Sequence, residues 1–234
     1  MGTGAVRGFS PCENGLAFTN SWPHQPNIVL DVPGLGKLPL GDASNGLCGG
    51  MVFLVRDVFD AGLPPLTAPR PSQGTPLFDY IVKRLFDSFE LPIGVLRYYN
   101  WMNTSDDDVG LWGVVRRGVA WKTVREEWPK IRATIDGGHP APIGLVTVHS
   151  LDPHQLGRNH QVLAYKYDLD DATDKLRLSV YDPNTRRDDA DDVTLELDLS
   201  TPTEATAIKH NVNIGDPVRG VFAVDYEHRT PPAA

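Results

Sequence analysis

Apolar residues follow two different rhythms along this chain. Between about 48 and 136 they recur at helical spacing; beyond 139 they alternate with a period of two. The run CGGMVFLVRDVFDAG at 48–62 is apolar on nearly all sides, from Met51 to Val55 and again at Val58 and Phe59. Such a pattern predicts a helix buried at the centre of a fold. Gly62 and then Pro64 and Pro65 end it. A Pro/Ser/Thr loop follows at 63–76. A second helix is expected over about 77–90, where Phe78, Ile81, Val82, Leu85, Phe86 and Phe89 form a stripe. Residues 91–117 read as aromatic and irregular, with an acidic turn at Asp106, Asp107 and Asp108. A third helical stretch is expected from about 119 to 136, with Trp121, Val124, Trp128, Ile131 and Ile135 on one face. Pro129 either kinks it or opens a second helix at the first helical position.

After Gly137 and Gly138 the pattern predicts strands at 142–149, 160–167, 175–182, 193–199 and 219–226. Alternation is cleanest at Leu176, Leu178 and Val180, and at Val193, Leu195 and Leu197. Residues 1–46 are rich in turn formers, with one strand-like run at 27–32. Helices first and strands afterwards argue α+β rather than a βαβ sheet. One domain over 1–234 is expected, with a helical half at about 40–138, a β half at about 139–227 and a frayed tail at 228–234.

Composition narrows the function. The 234 residues are 41% apolar, enough for a sizeable core, and 30 acidic against 22 basic side chains leave a net charge of −8. An acidic chain is poorly suited to nucleic acid or to an anionic membrane. No stretch approaches the ~18 consecutive apolar residues of a membrane helix. The N-terminal residues lack a basic segment followed by an apolar one, so a cytoplasmic protein is expected. Two cysteines make no disulfide framework.

Cys48 opens the central helix. A cysteine there feels the positive end of the helix dipole, which stabilises its thiolate. Gly49 and Gly50 behind it would let another backbone, such as a substrate chain, come close. A thiolate nucleophile needs a base, normally His. Of seven histidines, His160 is singled out by a hairpin argument. Strands 160–167 and 175–182 flank the polar loop 168–174. If that hairpin is symmetric about residue 171, His160 lies directly opposite Asp182. Asp182 also shares the parity of Leu176, Leu178 and Val180, and a core-facing acid needs a partner. A slip of one residue would break the match, with Asn184 as the neighbouring candidate. Other patterns are weaker. His149, His154 and His160 lack zinc-site spacing, and DLDDATD at 168–174 lacks the Gly and Glu of a calcium loop. GLGK at 34–37 is no phosphate loop, and no G-x-S-x-G elbow is present. No metal and no cofactor are therefore expected.

The order Cys48, His160, Asp182, carried on LCGGM at 47–51, NHQVLAY at 159–165 and VYDPN at 180–184, resembles the papain-like cysteine peptidases. The double-glycine peptidases that process bacteriocin leaders are the most similar branch, over about 40–185. The resemblance implies a papain-like α+β fold whose helical half carries Cys48 and packs on an antiparallel sheet. It implies Cys48 as nucleophile, His160 as general base and then acid, and Asp182 as orienter, cleaving a peptide or amide bond of a peptide or protein held between the halves. Acyl transfer on the same triad, or a non-catalytic binding module on the same scaffold, are the alternatives. In one respect the chain departs from the family. Six residues before the cysteine, where those peptidases place a Gln amide for the oxyanion, stands Asp42, which accepts only while ionised. Asn45, or else Asn20, is the amide that could replace it, beside the Cys48 backbone N–H.

Overall fold

The computed structural model describes residues 2–22, 27–32, 36–42, 46–90, 93–111 and 113–232. The chain opens with strand β1 (Gly2–Ala5), one helical turn α1 (Pro11–Asn14), and a hairpin of β2 (Asn27–Val32) and β3 (Gly36–Asp42). Three helices follow, α2 (Cys48–Asp60), α3 (Pro76–Ser88) and α4 (Ile93–Met102), then a small hairpin of β4 (Val109–Leu111) and β5 (Val114–Arg116). The next helical stretch is α5 (Val119–Trp121), a π-helical turn (Lys122–Glu127) and α6 (Trp128–Asp136). The C-terminal part supplies β6 (Ala141–Val146), β7 (His160–Asp170), β8 (Lys175–Tyr181), β9 (Thr194–Asp198), β10 (Lys209–His210) and β11 (Gly220–Ala223). The fold is therefore mixed helix and antiparallel sheet, with the sheet curled into a half-barrel. Its strand order is β10-β9-β8-β7-β6-β11, with β1 added beside the far end of β7. No helix among the described residues is long and apolar enough to cross a membrane.

α2 is buried almost all round, as its sequence predicts: every residue from Cys48 to Val55 is buried, and so are Asp57 and Val58. Its two glycines serve the protein's own packing rather than a substrate. A Cβ on Gly50 would stand 2.0 Å from the Ile81 carbonyl oxygen of α3, and one on Gly49 would stand 2.3 Å from Ser88 Oγ and 2.8 Å from Gln161 Oε1. Two helices can approach that closely only where one lacks side chains. Opposite them, α3 begins cleanly, with Thr75 Oγ1 accepting from the Phe78 N–H at 3.4 Å and Pro76 in its first turn.

Residues 91–117 hold more order than expected, namely α4 and the β4–β5 hairpin. α4 buries Val95, Tyr98, Trp101 and Met102, a stripe at helical spacing that the aromatic content obscured. At Pro129 both readings of the sequence meet in one device. Proline has no N–H, and the turn before it widens, so that the Trp128 N–H bonds back to the Thr123 carbonyl. The widened turn then serves the sheet. Thr123 Oγ1 accepts from the Val221 N–H, and Glu127 Oε2 from the Ala223 N–H, both at 3.0 Å. These bonds cover the outer edge of β11, which would otherwise offer unpaired donors.

The tail expected to fray is tied down through residue 229. Asp57, fully buried on α2, accepts from Arg84 Nε at 2.7 Å and Nη2 at 2.9 Å, Tyr80 OH at 2.9 Å, Tyr226 OH at 2.7 Å and the Arg229 N–H at 3.1 Å. Arg84 also donates to Asp87 and to the Glu227 carbonyl. Burial first, and then the Asp57 charge, hold the Tyr80 and Tyr226 hydroxyls well above the usual phenol range, so both remain donors.

Candidate active site

Cys48 is the first residue of α2 and is buried behind Leu47. It heads a helix of 13 residues with aligned peptide dipoles, with no acidic side chain in the first turn to oppose a thiolate. His160 is the first residue of β7. Asn159 fixes that start: its Oδ1 accepts from the Thr147 N–H at 3.1 Å, and its Nδ2 donates to the Leu156 carbonyl at 3.1 Å. Tyr98 OH donates to the His160 carbonyl at 3.3 Å. The strand therefore begins at a fixed point against α4 and the end of β6.

His160 Nε2 and Asp182 Oδ1 are 2.8 Å apart and both residues are buried, but they do not pair across the hairpin as the symmetric register assumed. The ladder joins Asp170 to Lys175, Leu169 to Leu176 and Tyr167 to Leu178. It then shifts at Tyr165 and resumes with Ala164 opposite Val180 and Leu163 opposite Tyr181. Continued at that step, the ladder would bring Val162 opposite Asp182 and Asn184 opposite His160. The contact is therefore diagonal. It exists because of the bulge. Near the turn the odd-numbered residues of β7 share a face with Leu176 and Leu178; past Tyr165 the even-numbered ones share it with Val180 and Asp182. An uninterrupted ladder would have put Gln161 there and turned His160 to the opposite face. The bulged residue is satisfied from outside, since the Tyr165 carbonyl accepts from the Val6 N–H at 2.9 Å.

Asp182 both opens a turn and meets the histidine. Its Oδ1 accepts from the Asn184 N–H at 2.9 Å as well as from His160. Its Oδ2 accepts from Thr185 Oγ1 at 2.9 Å and from the Asn213 N–H at 2.8 Å. The Thr185 N–H closes the turn on the Asp182 carbonyl at 3.0 Å, with Pro183 in the position proline prefers. Asn184 and Asn213 clasp each other, each side-chain amide donating to the other's carbonyl at 3.1 and 3.0 Å. Burial would push the Asp182 carboxyl up, but the imidazole and the two backbone N–H groups hold it below its ordinary range. Thr185 was legible as part of an Asx-type turn. Asn213 was not, since it arrives from 31 residues away in a loop.

Burial would also lower the pKa of His160. The negative charge of Cys48, then the bond to Asp182 and the contact with the sulfur, outweigh it and raise it to about 10. Since Asp182 takes Nε2, Nδ1 is the nitrogen left for the thiol. The folded value lies above the ordinary 6.5. The imidazolium therefore contributes stability in full below about pH 6.5, and that contribution is lost as pH rises through about 10. Asp182 works in the opposite sense: its contribution is present above about pH 4 and lost as pH falls through its depressed value. Because the Cys48 charge is the largest upward influence, Cys48→Ala should make the imidazole titrate at clearly lower pH. NMR titration of the ring protons measures this, and an unchanged titration would show that sulfur and imidazole do not interact.

The remaining nominees are placed as follows. Asn45 lies outside the described residues. Asp42 closes β3, paired with Asn27. Asn20 is buried over the Asp182 turn, where its N–H donates to the Pro183 carbonyl at 2.8 Å and its Nδ2 to Asn184 Oδ1 at 3.2 Å. Asn184 thus supports the carboxylate rather than replacing it. Cys12, the other cysteine, sits beside Asp191; partial burial first, and then that carboxylate, push its thiol up. Among the described residues no group of three or more His, Cys, Asp or Glu side chains is placed to hold a metal ion. No protein-family model, curated protein or solved structure matches the chain.

Proposed function

We propose that the protein is a papain-like cysteine hydrolase that cleaves a peptide or amide bond. The observation that supports this reading is one imidazole bonded to a carboxylate with four donors and raised in pKa by the charge of a cysteine at the N-terminus of a buried helix. With Asp182 fixing Nε2–H, Nδ1 of the neutral ring is the acceptor for the thiol proton. The Cys48 thiolate attacks the carbonyl carbon, and electrons move to the carbonyl oxygen. As the tetrahedral adduct collapses, the imidazolium gives its proton to the leaving amine, and a thioester remains on Cys48. His160 then takes a proton from water, whose oxygen displaces the sulfur and releases the acid.

Alkylation with iodoacetamide tests the nucleophile. At about pH 6, below the range in which an ordinary thiol ionises, Cys48 should be labelled much faster than Cys12. Peptide mapping by mass spectrometry separates the two sites. Equal, slow labelling of both would remove the nucleophile. An acyl-enzyme trapped on Cys48 would establish the covalent step directly.

A further inference from the structure

We infer that the β4–β5 hairpin and the cavity beside it bind an acidic polypeptide segment in extended form. This surface does not depend on Cys48 chemistry. The hairpin forms a two-stranded sheet of its own, and Val109 pairs with Arg116, Gly110 with Val115 and Leu111 with Val114. Three of its valines are exposed, Val109 by 48%, Val114 by 66% and Val115 by 53%. β-branched residues that stand in water on a short ribbon with no further described strand beside it are the usual ingredients of strand addition. Val109 and Arg116 also line a cavity of about 580 Å³. Val114 falls on that same face by the alternation of the strand.

The rest of the cavity selects charge. Arg117, Lys122 and His149 share its wall with Arg116. Arg117 is paired with Asp108 at 2.6 Å, whereas no carboxylate among the described residues pairs with Arg116 or Lys122. Two cations without a carboxylate in one hollow of a protein with net charge −8, one of them, Lys122, with its Nζ 5.8 Å from the Trp101 ring centre, call for an anionic occupant. Asn103, also in the wall, says more about its nature. Its Nδ2 is committed to the Tyr99 carbonyl at 2.7 Å, and its buried Oδ1 has no partner. A buried acceptor needs a donor. Backbone amides of a peptide carry donors, and fully ionised phosphate carries none. Exposed valines, an open ribbon, cations and an orphan acceptor together fit an extended chain of alternating acidic and apolar side chains.

Fluorescence anisotropy with a labelled Glu-Val-Glu-Val-Glu-Val peptide tests this on the full chain. Saturable binding is expected, weakened by salt and reduced at least about tenfold in the Arg116→Glu/Lys122→Glu variant. Val114→Ser, on the same face, should weaken binding while leaving the charge of both cations unchanged. Thermal melts confirm that both variants fold. A Lys-Val peptide, and the Glu-Val peptide methylated on its backbone nitrogens, should bind far more weakly. Absence of saturable binding, indifference to charge reversal, or equal binding of the Lys-Val or N-methylated peptide would overturn the inference. So would tight binding of pyrophosphate where the Glu-Val peptide fails, which would make the cavity a small-anion site.

Discussion

Asp182→Asn should lower hydrolysis of an activated ester such as p-nitrophenyl acetate by ~10³-fold or more, in a protein that still folds. The carboxylate accepts four hydrogen bonds, two on each oxygen. An amide presents one oxygen and one NH₂ group. If the oxygen stays toward His160 and Asn184, the NH₂ meets the Asn213 N–H donor to donor; Thr185 can rotate its hydroxyl away, but a backbone N–H cannot. If the amide turns over, the NH₂ faces both the Asn184 N–H and His160 Nε2. The ring then favours the tautomer with hydrogen on Nδ1, which cannot take the proton of the thiol. Either way a buried donor loses its partner, which costs about 1–3 kcal/mol, so the similar shape of Asn does not make the change silent. The imidazolium loses its counter-charge as well. Turnover, the rate of Cys48 alkylation at about pH 6 and the urea midpoint should therefore all fall. Unchanged turnover in a stable variant would make Asp182 a turn residue only.

Much of the architecture was legible in periodicity. The central helix announced itself by being apolar on all sides, and Leu176, Leu178 and Val180 fixed the inward face of β8. The His160–Asp182 contact was legible for a less direct reason. A hairpin symmetric about residue 171 does not occur, yet His160 still meets Asp182, because the actual turn centre and the Tyr165 bulge compensate in parity. A bulge has no compositional signature here: Tyr165 sits in AYKY, a sequence that reads as uninterrupted strand. What makes it possible is the chain just after β1, where the Val6 N–H donates to the spare carbonyl, and a four-residue strand of Gly, Thr, Gly and Ala carries almost no hydrophobic pattern. Asn213 stayed hidden because it acts through its backbone N–H, which any residue but proline could supply. Gly49 and Gly50 were read as room for a substrate because a sequence shows that space is needed but not what fills it; the occupants are α3 and Gln161.

The second large effect lies away from the chemistry. Asp57→Ala should destabilise the fold by ~3–5 kcal/mol. Arg84 is buried with it, and after the substitution the guanidinium keeps only Asp87 and the Glu227 carbonyl. Tyr80, Tyr226 and the Arg229 N–H lose an acceptor at the same moment; Tyr80 OH keeps the Arg229 carbonyl at 3.2 Å. The cost is mainly that of a buried charge left with only Asp87, which Arg229 also shares, not the net worth of the pair, since taking both ions out of water was itself expensive. Asp57→Leu/Arg84→Met removes both charges and fills the space with apolar atoms, so it should be less destabilised than Asp57→Ala, although the Arg229 N–H still lacks its Asp57 acceptor. Urea unfolding of the three proteins gives the ranking. Hydrogen exchange adds the location, because the N–H of Arg229 should lose protection in both variants, once its acceptor is gone. A loss below about 1 kcal/mol in Asp57→Ala would mean that the cluster is held by its apolar surroundings, chiefly the Phe53 and Tyr226 rings packed edge to face at 5.1 Å, rather than by the carboxylate.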